Sequence, residues 1–401
     1  MAKRKIQKPT RFERMYKVWD YLRKNTDRRH PTSIAKMRKD ENINAYIGDK
    51  ETINRLLKDM ANIMNLEDGG SDYKPEAEWR LYFDDFKKFY GDKERCEWDD
   101  SDEDDSYIAN VMHIKNLYYN RTFSEKEVDS IIEGIMATRT LDSKSAQELV
   151  RKVEDNMTTV FYKRTPRHIC KVQEPELADR ELLKDNLAII QKAIDDNVRI
   201  QFRFNGYSYK KKLEPVREES DELSPYYIVA SGGKYYLLAT KEYEGYKPNM
   251  SIWRIDLMTD IEIPGRNDRL HIKGIPRIPK KNVSNLPEKW SEDFQLKHLN
   301  MSFDKPIPVT LRIKSEKCED NPKKRVRPGY TFLHDWFGDS FTYIRTETKP
   351  PYDDIVRVEC SPYGMAHWAL QYSELVEVLE PESLREDIKS KIKALNEKYS
   401  L

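Results

Sequence analysis

Little cysteine, no long apolar run and no excess of one charge mark this sequence, and each absence closes a class of explanation. The four cysteines, Cys96, Cys170, Cys318 and Cys360, lie far apart with no CxxC pair, which argues against a disulfide scaffold or zinc ribbon and fits a reducing compartment. No stretch approaches the roughly 18 to 20 apolar residues that a membrane-spanning helix requires. The opening MAKRKIQKPT carries no leader-like apolar run, so a cytoplasmic protein with no membrane partner is expected. The elements GxxxxGKS/T, GxGxxG and GxSxG are missing, leaving phosphate-loop, dinucleotide and serine-hydrolase chemistry without footing. Among seven histidines, only His168-Ile169-Cys170 brings a His and a Cys close together, whereas structural zinc takes four converging ligands. Asp339 and Asp353-Asp354 read as solvated turn residues. No catalytic constellation emerges, and the expectation is a non-enzyme with neither cofactor nor metal.

What is present is length and local polarity. A chain of 401 residues exceeds one ordinary core, since compact domains usually hold roughly 100 to 150 residues. Its 71 basic and 70 acidic residues leave a net charge of +1, so only the local distribution is informative. Residues 1–64 carry 17 Lys and Arg against 8 Asp and Glu, whereas 92–105 hold nine acids. The positive end is the candidate for a polyanion. The acidic run reads as a solvated loop, with shielding of the basic face in the absence of DNA as the sharper alternative.

Phe12, Met15, Tyr16, Trp19 and Leu22 recur at helical spacing and predict a first helix over 11–25. Thr32 offers an N-cap for a second, 33–39, with Ile34 and Met37 facing inward. A polar turn over 40–44 leads to a third helix from Asp49 to about Ile63, whose stripe is Ile53, Leu56, Leu57, Met60 and Ile63. Its other face is expected to show Lys50, Thr52, Asn54, Arg55 and Lys58. Such a helix fits a major groove, with Thr52, Asn54 and Arg55 reading base edges and Lys50 and Lys58 holding phosphates. A β-hairpin wing is expected from 65–68, turning at Gly69-Gly70 and returning over 78–83, with Trp79, Leu81 and Phe83 alternating against polar neighbours. The basic arm Lys3–Lys8 favours DNA over the plain reading of a solvated helix face.

Further helices are expected from Ser124, which opens a capping-box-like SEKE, then over 143–156 and 177–196. From Val198 to Leu257 the period changes to two, predicting five strands over 198–204, 209–216, 226–230, 235–240 and 250–257. Five short strands with hairpin punctuation argue for a small closed or nearly closed barrel. Within it, Gly233-Lys234-Tyr235-Tyr236-Leu237-Leu238-Ala239, Ser224-Pro225-Tyr226-Tyr227-Ile228-Val229 and Trp253-Arg254-Ile255-Asp256 stand in order. The chain here resembles the WYL-domain transcriptional regulator family, with Tyr235 in place of the name-giving tryptophan. The likeness extends through Thr310–Lys314, Asp335-Trp336-Phe337-Gly338, Val356–Cys360, Met365–Tyr372 and Val376–Pro381, similar to that family's C-terminal WCX-type extension. Arg55-Leu56 stands where the family commonly has Arg-Asp, and Leu257 where a basic residue is usual.

The resemblance implies a multidomain α+β protein. Its expected parts are a winged helix-turn-helix (1–90), an acidic loop and helical connector (91–180), a five-stranded WYL β-barrel for ligand sensing (181–265), a linker (266–304) and a C-terminal α/β WCX-like dimerisation domain (305–401). It also implies a barrel face that senses an anionic, nucleic-acid or nucleotide-like ligand. The residues themselves place aromatics and cations on neighbouring strands: Tyr207, Lys211, Lys212, Tyr227, Tyr235, Tyr236 and Arg254. Bases stack on the first kind and phosphates pair with the second, and a guanidinium fork suits phosphate. Alternation sends Tyr235 and Leu237 one way and Tyr236 and Leu238 the other, so at least one tyrosine belongs to the core. Two functions follow as expectations. One is a homodimeric regulator of double-stranded operator DNA. The other is an accessory protein that binds single-stranded nucleic acid and regulates a phage-defence or DNA-repair enzyme.

Overall fold

Thr10 starts the first helix: its hydroxyl accepts from Glu13 N while the Glu13 carboxylate accepts from Thr10 N. This capping box opens α1, Arg11–Asn25, which buries Val18 and Leu22. The computed structural model describes residues 9–67, 72–86, 113–138, 141–164, 180–314, 317–318, 321–325 and 329–399. The arm Lys3–Lys8, the Gly69-Gly70 turn, the acidic run 92–105, His168-Ile169-Cys170 and residues 177–179 of an expected helix lie outside them. Two compact units are present, 1–174 and 175–401.

In the first unit, α1 is followed by α2 (Ile34–Met37), α3 (Asn44–Ile47) and α4 (Lys50–Asn65). The second helix is capped by Ser33 rather than Thr32, and a one-turn helix, α3, which was not expected, follows the polar turn before α4. Asp49 caps α4 by accepting from Thr52 N at 2.7 Å. Beyond α4, Lys74 N donates to the Asn65 carbonyl and Glu67 N to that of Asp72.

The wing differs from its expectation. The strand that includes Leu81 does not return on 65–68. Instead β1 (Leu81–Tyr82) pairs antiparallel with β2 (Tyr118–Tyr119), and Thr32 exchanges two backbone hydrogen bonds with Leu117 on the other side of that ribbon. Asn65 explains the choice, because its buried amide accepts from Arg80 N and Leu81 N and donates to the Leu81 carbonyl, pinning β1 to the end of α4. Trp79, Leu81 and Phe83 are all buried there. Each such apolar side chain contributes about 1.5 to 3 kcal/mol relative to exposure.

Helices α5 (Glu125–Ala137) and α6 (Ser143–Met157) form a hairpin around Val128, Ile132, Val150 and Val153. It is fastened to α1: Arg23 Nη1 donates to the Asn156 carbonyl at 2.9 Å, Val160 N to that of Lys24 at 3.0 Å, and His30 stacks on Phe161 at 4.0 Å.

The second unit opens with α7 (Arg180–Asp196), which buries Leu183, Ile190 and Ala193 against a curled sheet. Its strands are β3 (Ile200–Tyr207), β4 (Leu213–Pro215), β5 (Asp221–Ser231), β6 (Lys234–Thr240), β7 (Met250–Arg254) and β8 (Met258–Glu262). The order is β4-β3-β5-β6-β7, with β8 also on β3. Six strands therefore stand where five were expected. The predicted run over 250–257 breaks at the 3-10 turn Ile255–Leu257, whose Ile255 and Met258 carbonyls accept from Asn186 of α7. This turn carries the chain from β7 to β8, and no ladder joins those two strands among the described residues. The result is a half-barrel rather than a closed one.

The last sheet has the order β12-β13-β9-β14, built from β9 (Ile307–Ile313), β12 (Thr342–Thr346), β13 (Asp354–Cys360) and β14 (Val376–Glu380), all antiparallel. Between β9 and β12 come the ribbon β10 (Lys317–Cys318) and β11 (Asn321–Arg325), then the helix Thr331–Phe337. The helix Pro362–Gln371 joins β13 to β14, and Glu382–Tyr399 follows. Four strands and two crossover helices in this order make the β-α-β-β-α-β, ferredoxin-like arrangement.

The segment 266–304, expected as a linker, is packed. Phe294 and Met301 bury against Val229, Leu238 and Met250 of the half-barrel, while Leu299 enters the core of the ferredoxin-like sheet. Ser302 bonds Ser361, the N-cap of the Pro362–Gln371 helix, and Gly364 has no room for a side chain because the Leu299 carbonyl lies 2.7 Å from where a Cβ would stand.

Candidate nucleic-acid interface

Helix α4 carries one candidate surface. Its buried positions are Ile53, Asn54, Leu56, Leu57, Lys58, Met60, Ala61 and Asn65, which at about 100° per residue cover an arc of about 200°. Asn54 is 0% and Lys58 1% exposed. These two expected DNA contacts therefore do not face outward, because α4 is embraced on more than its apolar stripe. Thr52 and Arg55 do face solvent, with Lys50 at the helix start.

Beside them lies a cleft of about 490 Å³ lined by Arg11, Arg14, Asp49, Glu51, Thr52, Arg55 and Leu56. Arg11 and Arg14 come from α1 and were missed by sequence reasoning, although their three-residue spacing off the buried stripe was a usable signal. Gly48, at φ 68°, lets the Arg14 guanidinium approach the start of α4: a Cβ there would stand 2.4 Å from it. Three arginines face two carboxylates in the lining, and two of the arginines are ion-paired. Arg55 Nη2 meets Glu51 Oε1 at 3.0 Å, and Arg11 pairs with Asp59. The Asp49 carboxyl is held below its ordinary value chiefly by the hydrogen bond from Thr52 N.

The half-barrel carries the other surface. Tyr236 and Arg254 are directly opposite on β6 and β7, and Tyr207 is close enough to act electrostatically on the guanidinium. Burial opposes the charged form of Arg254, but hydrogen bonding and attraction from Asp256 raise its pKa overall. Arg254 Nε and Nη2 meet the two Asp256 oxygens at 3.1 and 2.5 Å, and the Asp256 side chain is only 2% exposed. One edge of the guanidinium is thus occupied, and Nη1 makes no hydrogen bond among the described residues. Burial pushes the Tyr236 phenol above its ordinary pKa.

The remaining expected ligand residues separate. Tyr235 packs with Leu237 and Ala239 on the α7 side, whereas Tyr236 packs with Leu238 on the opposite face. Tyr227 is walled in by the packed segment: its hydroxyl donates to the Pro287 carbonyl at 3.0 Å and Lys280 Nζ lies 4.1 Å from its ring centroid. These contacts hold the half-buried ring against that segment. Lys211 and Lys212 are exposed at the β3–β4 turn, where Lys211 has φ 60°. Beside them Tyr209, which sequence reasoning did not single out, is 90% exposed with Lys210 Nζ 5.6 Å from its ring.

Residues 305–395 match the WCX domain family. No curated protein matches the chain. Proteasome accessory factor B/C (PafBC) of Arthrobacter aurescens is similar at 15% identity and a TM-score of 0.22, over 87% of this chain and 48% of its own, so the chain spans about half that protein's length. A solved CRISPR Cas-related protein is similar at 14% identity and a TM-score of 0.30, over 70% of this chain and 74% of its own. Likeness at this level fixes neither fold nor function. Among the described residues, no helix is long and apolar enough to cross a membrane.

Proposed function

We propose that this chain is a homodimeric, DNA-binding transcription regulator: its first unit reads an operator in the manner of a winged helix-turn-helix, and its half-barrel senses a nucleic-acid or nucleotide-like anion. The observation that carries the reading is the order of parts in the first unit. A long helix, α4, follows shorter ones and is pinned by Asn65 to a ribbon whose other edge is bonded to Thr32 between α1 and α2. That order places Thr52 and Arg55 outward, beside Arg11 and Arg14. The WCX match over 305–395 and the WYL-like segment 198–257 lend support. Capture of an anion by Arg254 would alter operator affinity through a coupling free energy. Electrophoretic mobility shift on the DNA upstream of the chain's own gene is the test: wild type retards a specific duplex and Arg55→Ala does not. Equal, sequence-blind retardation by both would discard the operator reading.

A second reading is favoured by Tyr209 and the Lys210-Lys211-Lys212 turn: an accessory protein that binds single-stranded nucleic acid and regulates a defence or repair enzyme. Fluorescence anisotropy with short single strands tests it. Tyr209→Ala should weaken binding, and replacing Lys210 and Lys212 together by Ala should flatten its salt dependence.

A further inference from the structure

A protein surface that holds DNA only by its phosphates is served by cations with no counter-charge of their own, since neutralisation of phosphate and release of counterions supply the affinity. The outward face of α4 departs from that pattern. Arg55 is held by Glu51 at 3.0 Å one turn earlier, and Arg11 by Asp59, so each carries a carboxylate beside its guanidinium. Packing does not require the Glu51–Arg55 pair: both side chains are 49% exposed, and exposed pairs of this spacing add only about 0.3–0.5 kcal/mol to a helix. Arg55 makes no other hydrogen bond among the described residues, so Glu51 engages one nitrogen, biases the orientation of the half-exposed fork and leaves its other donors unbonded within the described chain. Asn54, the adjacent candidate reader, is interred.

A guanidinium biased in orientation and partly neutralised suits a base edge better than a phosphate. A bidentate contact to guanine O6 and N7 depends on orientation, whereas phosphate attraction depends on charge. We propose that Glu51 is a specificity-determining positioning residue: it aims Arg55 at a guanine in the major groove and, by cancelling charge, suppresses binding to other sequences. This rests on the DNA-binding reading above.

The experiment uses the full chain. Duplexes are selected from a randomised library, and each guanine of the selected site is replaced in turn by 7-deazaguanine, which lacks N7. Wild type should lose at least about fivefold in affinity at one guanine, a substitution that Arg55→Ala, which has no donor to offer N7, should not feel. Glu51→Gln, with unchanged melting temperature, should bind unselected duplex more tightly and narrow the preference for the selected site at least fivefold. If a site is enriched but no guanine shows this dependence on Arg55, or Glu51→Gln keeps the full preference, the inference is overturned while DNA reading stands. If no sequence is enriched, the DNA reading itself fails and the inference falls with it.

Discussion

At the scale of single residues, Asn54 and Arg55 are neighbours in sequence with opposite duties. Asn54→Ala should destabilise the first unit by about 1–3 kcal/mol, the usual cost of disturbing a buried polar group, whereas Arg55→Ala should stay within about 0.5 kcal/mol. Urea denaturation followed by far-UV circular dichroism distinguishes them, and equal stability of the two variants would contradict the burial. The residue types were legible from the sequence, but their direction was not: Asn and Lys are ordinarily exposed, and nothing in the letters reveals that neighbouring elements close over Asn54 and Lys58. That Arg254 stands beside an aromatic of the neighbouring strand was legible, because the strand pattern placed it near Tyr236. Its partner Asp256 lay only two residues away, yet the pairing depends on the 3-10 turn that ends β7. His298 offers a pH test. It is 4% exposed, and burial holds its imidazole below the ordinary value against the Ser302 carbonyl and Asp304, with Lys297 assisting. Since the folded chain takes this proton less readily than the unfolded one, the stability involved is whole above about pH 6.5 and is lost as pH falls through the folded-state value. Between pH 7 and 5 the melting temperature should therefore drop more steeply for wild type than for His298→Phe; parallel curves would refute this.

At the scale of elements, the turn between α3 and α4 is set by Gly48 at φ 68° and ψ −158°, a region essentially closed to other residues. Gly48→Ala should cost about 1–3 kcal/mol and displace Arg14, read as a lowered urea midpoint together with weaker DNA retention. An unchanged midpoint would mean that the turn relaxes freely. Elements with strong periodicity or caps were read well: α1 has the expected bounds, and α4, α5, α6 and the strands near 200, 236 and 252 fall within a few residues of theirs. Pairing was harder to read, since β1 finds its partner across the sequence at 118–119, a distance that local turn chemistry cannot signal. The segment 266–304 looked like a linker because its apolar residues follow no period. Phe294, Leu299 and Met301 anchor one at a time in irregular backbone.

For the whole molecule, the proposed dimer makes a demand on the terminal helix Glu382–Tyr399. Leu384 and Ile388 serve its own domain, while Ile392, Leu395 and Tyr399 remain 51%, 45% and 68% exposed towards the end of the helix. Replacing Ile392 and Leu395 by Asp should leave the melting temperature nearly unchanged and halve the mass seen by sedimentation equilibrium. A monomeric wild type would sink the dimer. The packed segment 294–304 has a different consequence. Because Phe294 and Met301 belong to one sheet and Leu299 to the next, these two modules are not interchangeable cassettes. A chimera spliced at 304 would graft foreign strands beneath a rivet cut for others, so productive recombination between relatives should exchange 175–401 as a single block.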